Sequence, residues 1–224
     1  MNLLAIETST DRLSIAVSAG GRLHETTSVV GQRHAELTLD AIESLLAAVG
    51  LDRGDLEGIA FGAGPGSFTG LRIACGVAQG LALGLEIPVL GVSTLAALAE
   101  PAAAPRVIAC LDARMGEVYC AAYERSPSGW RMVMAPGVFA PEAVPKVPGD
   151  GWAGRGNGFA VHAERLVARF GSSVASTEPD AFPTAGAVLR LAAPRIAAGE
   201  GADPAGAMPI YIRDKVALKT SERR

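Results

Sequence analysis

The residues best suited to chemistry lie in a glycine-rich stretch, residues 62–72 (GAGPGSFTGLR). An apolar run precedes it and a long Ala/Gly/Leu-rich segment follows it, which predicts a strand, a sharp loop and a helix. Glycine and proline allow the loop to turn tightly and to bring its backbone close to another group. Ser67 or Thr69 can cap the helix, whose free N–H groups form a potential anion site. The stretch fits neither the P-loop motif nor the dinucleotide-binding motif, so it does not by itself specify a nucleotide.

The sequence gives little support for a serine hydrolase site in this loop. Ser67 lies in GPGSFTG rather than in the GxSxG motif of serine hydrolases, and no His/Asp pair is evident for it. The chain has three histidines, His24, His34 and His162, which are far apart in the sequence. A serine nucleophile is therefore not predicted.

The composition predicts a globular protein rather than a protein that coats nucleic acid. Of the 224 residues, 49% are hydrophobic and 19% are charged, and the net charge is −3. Three cysteines (Cys75, Cys110 and Cys120) without Cys-x-x-Cys spacing predict reduced thiols and a cytoplasmic location. The first residues enter a strand pattern without a basic region, so we expect no signal peptide. We also expect no membrane span, because glycine, proline or charge interrupts the apolar runs.

Hydrophobic periodicity predicts three strands, a helix, a strand, a helix and a strand in the first hundred residues. The predicted strands are 3–6, 13–18, 23–30, 56–61 and 88–92, and the predicted helices are 34–49, 69–85 and a short one that begins at 93. The Pro/Ala-rich residues 101–105 then predict a linker.

The pattern starts again after this linker. Strands are predicted at 106–111, 117–123 and 130–134, and helices at 159–170 and 184–198. We therefore predict an α/β fold of the actin-like (ASKHA) type, with a duplicated βββαβα unit in two lobes. Residues 1–100 form the N-terminal lobe and residues 106–213 a degenerate C-terminal lobe, with residues 208–213 docked on the body. Residues 214–224 are expected to be a solvated basic tail.

Two of the predicted helices have features of a contact surface. The helix at 69–85 contains Gly76, Gly80 and Gly84, each of which costs about 1 kcal/mol relative to alanine. This cost suggests that another backbone passes close to the helix. Two interpretations stay open: the helix packs tightly on its own sheet, or one of its faces also meets a second protein. The helix at 34–49 carries an apolar stripe at helical spacing.

Three sequence blocks resemble the TsaB family, formerly called YeaZ. They are LAIETST (4–10), GPGSFTGLR (64–72) and LDAR with EVY (111–114 and 117–119), accompanied by QRHA at 32–35. The resemblance is strong over residues 1–125 and scattered beyond them, in GNG (156–158) and YIR (211–213). Ala35 departs from the serine that relatives usually have. The resemblance implies an actin-like fold and a role in the bacterial machinery that makes threonylcarbamoyladenosine at position 37 of tRNAs reading codons that begin with A.

The resemblance also implies a subunit without its own catalytic site. The catalytic paralogue of the family, TsaD, carries His-His-x-Glu-x-His at the place where this chain has STLAAL (93–98). Thr94 and Leu98 stand where metal ligands would be and cannot supply imidazole or carboxylate donors. Neither a metal site nor a cofactor is therefore expected.

The nucleotide site of the fold is also incomplete in this sequence. Active members of the fold use an Asp-x-Gly turn in each lobe, whereas this chain has ETSTD, ending in Asp11, and then Asp112-Ala113-Arg114. Arg114 could still bind a phosphate. Asp11, Asp112 and Arg114 are the remaining candidates for nucleotide contacts, and phosphoryl transfer is not expected.

Three functions remain in competition. The resemblance favours a scaffold or activator subunit that pairs with a TsaD-type paralogue, joins a larger complex with a TsaE-type ATPase and meets tRNA indirectly. A homodimer would use the same faces. The alternatives are an ATP-dependent kinase or ATPase of the same fold and a glycoprotease-type metallopeptidase. The candidate partner interface is Leu37, Ala41, Leu45, Arg72, Cys75, Gly76, Ala78 and Gln79.

Overall fold

A computed structural model describes residues 1–127 and 129–213 of the chain. The predicted basic tail at 214–224 lies outside the described residues. The strands are β1 (Leu3–Glu7), β2 (Arg12–Ala19), β3 (Arg22–Val29), β4 (Gly58–Gly64), β5 (Val89–Ser93), β6 (Arg106–Arg114), β7 (Glu117–Ser126), β8 (Gly129–Phe139), β9 (Trp152–Arg155) and β10 (Val174–Glu178). The helices are α1 (His34–Ala48), α2 (Phe68–Leu85), α3 (Thr94–Ala99), α4 (Gly158–Val161), α5 (Ala163–Phe170) and α6 (Ala185–Ala197). Short 3₁₀ turns occur at Arg53–Asp55, Pro141–Ala143, Gly171–Ser173 and Pro204–Gly206.

Two five-stranded mixed sheets are built to the same plan. The first has the order β3-β2-β1-β4-β5 and the second the order β10-β9-β6-β7-β8. In each sheet three consecutive strands pair antiparallel, a fourth pairs in parallel with the first of them, and a fifth pairs in parallel with the fourth. This repeat confirms the predicted α/β fold with a duplicated βββαβα unit.

The central strands of the first sheet are buried on both faces. All the residues of β1 and β4 are buried, as an apolar run between two layers requires. Helices α1 and α2 cover one face of this sheet. Residues of α6, among them Val188 and Ala192, cover the other face by packing on Leu3, Ala5 and Ala60. The core of the first lobe is thus a three-layer arrangement.

The position of α6 differs from the sequence prediction. The sequence prediction places this helix in the C-terminal lobe of residues 106–213, but the helix packs on the first sheet. Without it, the apolar face of β1 and β4 opposite α1 and α2 would be left open. The second sheet itself ends with β10, so the second lobe in space comprises residues 106–178. The strands β9 and β10 were not predicted, and the helix predicted at 159–170 is interrupted at His162.

The two lobes are joined through α3. Leu95 and Leu98 of this helix are completely buried against Val107 and Ala109 of β6. The nearly buried Arg155 of β9 donates a hydrogen bond from Nε to the Leu98 carbonyl, at 3.1 Å. This apolar and hydrogen-bonded contact places the two sheets on either side of a cleft.

Helix α2 is long and apolar enough, by length and composition alone, to cross a membrane. In the structure its residues Leu71, Ala74, Ala78 and Ala82 face the first sheet. A helix that packs on a sheet passes the same test, so its apolar character is accounted for by this packing.

Candidate functional site

The glycine loop lies between β4 and α2, where the sequence placed it. The Ser67 Oγ accepts a hydrogen bond from the Gly70 N–H at 3.3 Å, which confirms Ser67 as the cap of α2. The group that approaches the loop closely is the turn after β1. Thr8 Oγ1 donates to the Gly70 carbonyl at 2.7 Å, and a Cβ at residue 70 would overlap the Thr8 carbonyl. At residue 66 a Cβ would overlap Ser9, so these glycines accommodate the chain itself.

Glu7 is a buried carboxyl group beneath this loop. Its Oε1 accepts a hydrogen bond from the Ser9 N–H at 2.6 Å, and its Oε2 has no hydrogen-bond partner in the described part of the chain. Burial raises the pKa of Glu7 to about 7. The sequence predicts only an incomplete turn at Glu7 and not its burial. The signal was available, since a carboxylate directly after a buried strand is a candidate for a shifted pKa.

In the second lobe, Asp112 holds a tight turn. Its Oδ1 accepts a hydrogen bond from the Arg114 N–H at 3.1 Å and lies 3.3 Å from Nε2 of His162. Its own N–H donates to Oδ1 of Asn157 at 2.9 Å. Arg114 and Met115 both have left-handed backbone angles, with φ of 62° and 56°. The Asp112 carboxylate therefore stabilises an uncommon backbone conformation.

The structure brings the three candidate nucleotide contacts to one place. Asp11, Asp112 and Arg114 all line a cleft of about 770 Å³ between the lobes. The Arg114 side chain is 89% exposed and lies 3.5 Å from Asp112. His162 and Asn157 were not predicted as members of this cluster, although the GNG motif at 156–158 marks its position. A role for these residues in nucleotide binding stays a prediction.

Thr94 and Leu98 have structural roles in this chain. Thr94 is fully buried, and its Oγ1 accepts a hydrogen bond from the Gly64 N–H at 3.1 Å. Leu98 is fully buried in the contact between the lobes. Among the described residues, no group of three His, Cys, Asp or Glu side chains could hold a metal ion. The absence of a metal from the functional protein stays a prediction.

The small residues of α2 point in two directions. Gly76, Gly80 and Gly84 are spaced by four residues, and a Cβ on any of them would meet no other atom within 4 Å. They therefore face solvent, so the interpretation in which these glycines pack on their own sheet is wrong. The second interpretation, in which this face meets another protein, is compatible with the geometry.

Helix α1 lies beside α2 on the same face of the first sheet. Its Leu37, Ala41 and Leu45 are half-buried and pack on the core that α2 also covers. Val77 and Leu81 of α2 are half-buried against the same core. We call the surface formed by Leu37, Ala41, Leu45, Gly76, Val77, Gly80, Leu81 and Gly84 the two-helix face.

Four of the residues predicted for the partner interface have other roles in the structure. Cys75 and Ala78 are buried in the core beneath α2, because helical periodicity turns them toward the sheet. Gln79 donates from Nε2 to the carbonyl groups of Pro204 and Ala205, at 3.0 and 3.2 Å. Arg72 donates from Nε to the Tyr211 hydroxyl at 2.9 Å, and its guanidinium lies 3.5 Å from the centre of the Phe68 ring. Cys75 and Ala78 are therefore corrected from partner contacts to core residues, whereas a partner contact of the exposed Arg72 and the half-buried Gln79 stays a prediction.

The comparison with known proteins agrees with this architecture. The family model for TsaD, the tRNA N6-adenosine threonylcarbamoyltransferase, matches residues 25–155, more than half of the chain. The tRNA threonylcarbamoyladenosine biosynthesis protein TsaB of Escherichia coli is 36% identical over 98% of this chain and 97% of the relative. The protein of the same name from Haemophilus influenzae is 34% identical over 98% and 96%.

A solved structure supports the same assignment. YeaZ from Pseudomonas aeruginosa superimposes with a TM-score of 0.86 at 39% identity, covering 94% of this chain and 99% of that one. The duplicated sheets, the glycine loop over the turn after β1 and this similarity over nearly the whole length lead to one conclusion: the chain belongs to the TsaB family.

Proposed function

We propose that this chain is a non-catalytic subunit in the biosynthesis of tRNA threonylcarbamoyladenosine, and that it pairs with a TsaD-type paralogue through the two-helix face. The observation that carries the proposal is the exposed glycine stripe of α2. Gly76, Gly80 and Gly84 leave a smooth, solvent-facing strip on α2, and the half-buried apolar residues of α1 pack on the same core as this helix.

The energetics favour a contact role for this strip. An exposed glycine inside a helix costs about 1 kcal/mol relative to alanine, and α2 contains three of them in open space. The lack of a side chain at these glycines does not improve the packing of the isolated chain. It would allow a partner helix to approach within the usual interaxial distance of about 8–10 Å or less.

The family match indicates what the partner surface could be. The TsaD family model covers residues 25–155, which include both α1 and α2. A TsaD-type paralogue would therefore present an equivalent pair of helices. Two such pairs can meet around a pseudo-twofold axis as a four-helix arrangement, and a homodimer would use the same face in the isologous way.

Two features of the described residues support a non-catalytic role. Thr94 and Leu98 are buried with structural contacts at the places where the paralogue has metal ligands. Asp112 is engaged with Arg114 and His162 rather than free to hold a cation. The proposal extends to a larger assembly with a TsaE-type ATPase, to indirect contact with tRNA and to a cytoplasmic location. The free, buried cysteines suit a reducing compartment.

The experiment that tests the proposal places a bulky side chain on the strip. We expect Gly76→Leu to reduce the affinity for the TsaD-type paralogue by at least about 100-fold, since the leucine would separate the two helix pairs. Threonylcarbamoyladenosine in tRNA should fall in parallel. Leucine is a better helix former than glycine, so loss of α2 is not the cause. Ala168→Leu on the exposed face of α5 is the matched control and should bind normally. Normal binding by both Gly76→Leu and Gly80→Leu would place the interface elsewhere.

A further inference from the structure

The last described residues cross from the first lobe to the second on the cleft side. The Ile210 N–H donates to the Ala63 carbonyl at 2.7 Å, and Tyr211 accepts its hydrogen bond from Arg72, so both belong to the first lobe. Two residues further, the Arg213 guanidinium pairs with the Glu117 carboxylate of the second lobe. Residues 210–213 therefore span the mouth of the cleft that they help to line.

The first-lobe end of this segment packs closely against the glycine loop. Gly64 has φ of +121°, and a Cβ there would lie 2.7 Å from the Ile210 carbonyl oxygen and 3.0 Å from the Leu71 side chain. Only glycine allows the segment to approach this closely. The Phe68 and Tyr211 rings lie 5.9 Å apart and add an aromatic contact. Backbone and ring contacts together fix residues 210–211 to the first lobe.

The second-lobe end depends on one side chain. Arg213 reaches Glu117 and also lies 3.6 Å from Sδ of Met115. The Glu117 side chain is 39% exposed and that of Arg213 is 14% exposed. The Arg213 guanidinium also lies 5.9 Å from the centre of the Tyr119 ring of β7. On the opposite side of the molecule, Leu95 and Leu98 join the lobes through fully buried apolar contacts. The contact at α3 is thus apolar and fully buried, whereas the contact at the mouth of the cleft depends on the side chain of one residue.

We propose that Arg213 and Glu117 form a latch that holds the cleft closed. When the pair breaks, the second lobe rotates about α3, while residues 210–211 remain on the first lobe. Ser67 and Arg114 are both exposed and line the two sides of this cleft, so opening would move them apart. This inference concerns the chain by itself and does not depend on the proposed partner.

The test is a distance measurement between spin labels on the two lobes. Gln32→Cys and Ala160→Cys place the labels at exposed positions, one in each lobe, and the native cysteines are buried. Double electron–electron resonance on the full chain then compares the distances between the labels in Glu117→Gln and in Arg213→Ala with those in the labelled protein that keeps both residues. We expect a longer and broader distance distribution in both variants. Because the Glu117 carboxylate is 39% exposed, about 1 M NaCl should weaken the pair and produce a smaller change of the same kind without a substitution.

The matched control is Glu142→Gln, which removes an exposed ion pair with Arg165 inside the second lobe. It should leave the distances unchanged. The exchange of charges in Glu117→Arg with Arg213→Glu should restore the narrow distribution, and thermal unfolding would confirm that each variant is folded. Unchanged distances in Glu117→Gln, Arg213→Ala and high salt would overturn the latch. The same broadening in Glu142→Gln would also overturn it.

Discussion

Gly62 of β4 lies directly beside the buried carboxyl group of Glu7 at the end of β1, so that a Cβ at residue 62 would overlap Glu7 Oε2. The same relationship recurs along the loop, where Gly66 faces Ser9 and Gly70 faces Thr8. These glycines resemble a ligand-binding motif, but in this structure they leave room for the turn after β1. The consequence is a carboxyl group held away from water beneath the glycine loop.

The first prediction concerns the pH dependence of stability. Glu7 has its ordinary pKa of 4.5 in the unfolded chain and a pKa of about 7 in the folded one. Between these values the folded protein binds more protons, so its free energy of unfolding falls as the pH rises. The loss approaches about 3 kcal/mol and is complete above pH 7.

Glu7→Gln should remove this dependence, because the amide stays neutral. We expect the variant to gain about 3 kcal/mol relative to the unaltered protein between pH 4.5 and pH 8. Urea unfolding at several pH values measures it. Glu36→Gln, an exposed carboxyl on α1, is the control and should follow the unaltered protein. If the free energy of unfolding changed with pH in the same way in Glu7→Gln and in the unaltered protein, the Glu7 carboxyl group would not be held neutral.

The second prediction separates the two kinds of glycine in α2. Gly70→Ala should lower the free energy of unfolding by about 1–3 kcal/mol, because the added methyl group overlaps the Thr8 carbonyl. Gly80→Ala lies in open space and should raise it by about 0.5–1 kcal/mol. Guanidinium unfolding at low protein concentration distinguishes the two. A shift of the same sign in both variants would contradict the assigned orientations.

The third prediction concerns self-association. If a homodimer and the paralogue use the two-helix face, Gly80→Leu should weaken both assemblies together. Sedimentation measures the homodimer, and titration with the paralogue measures the heterodimer. Ala168→Leu should alter neither of them. Loss of one assembly with full retention of the other would show that they use different faces.

The fourth prediction concerns activity of the isolated chain. We expect no ATP hydrolysis above background, because Asp112 is occupied by the Arg114 N–H and His162. Asp112→Asn should instead lower the free energy of unfolding by about 1–3 kcal/mol, through weaker hydrogen bonds in the turn. Phosphate release and urea unfolding are the two measurements. A measurable turnover that disappears in Asp112→Asn would support the kinase alternative.

The order of elements in the first hundred residues and the family could be predicted from the sequence alone. Alternation of apolar residues predicts β2, and a candidate cap at Ser67 or Thr69 beside an Ala/Gly/Leu-rich run predicts the start of α2. These signals are local, since a strand, a cap or a helix is specified by residues close together in the chain. The docking of residues 208–213 was also expected from their apolar character, and the Ile210–Ala63 hydrogen bond confirms it.

The tertiary structure decided which partners these elements meet. Helical periodicity shows that α6 has an apolar face, but it cannot show that this face covers the first sheet. The spacing of Gly76 and Gly80 does not reveal whether they face a sheet or solvent. Strand β10 is short and largely exposed, so its residues carry little hydrophobic pattern. The burial of Glu7 likewise depends on Gly62, 55 residues away in the chain. Contacts between residues far apart in the chain determine the orientation of these elements and the burial of their side chains, and a local sequence pattern does not contain this information.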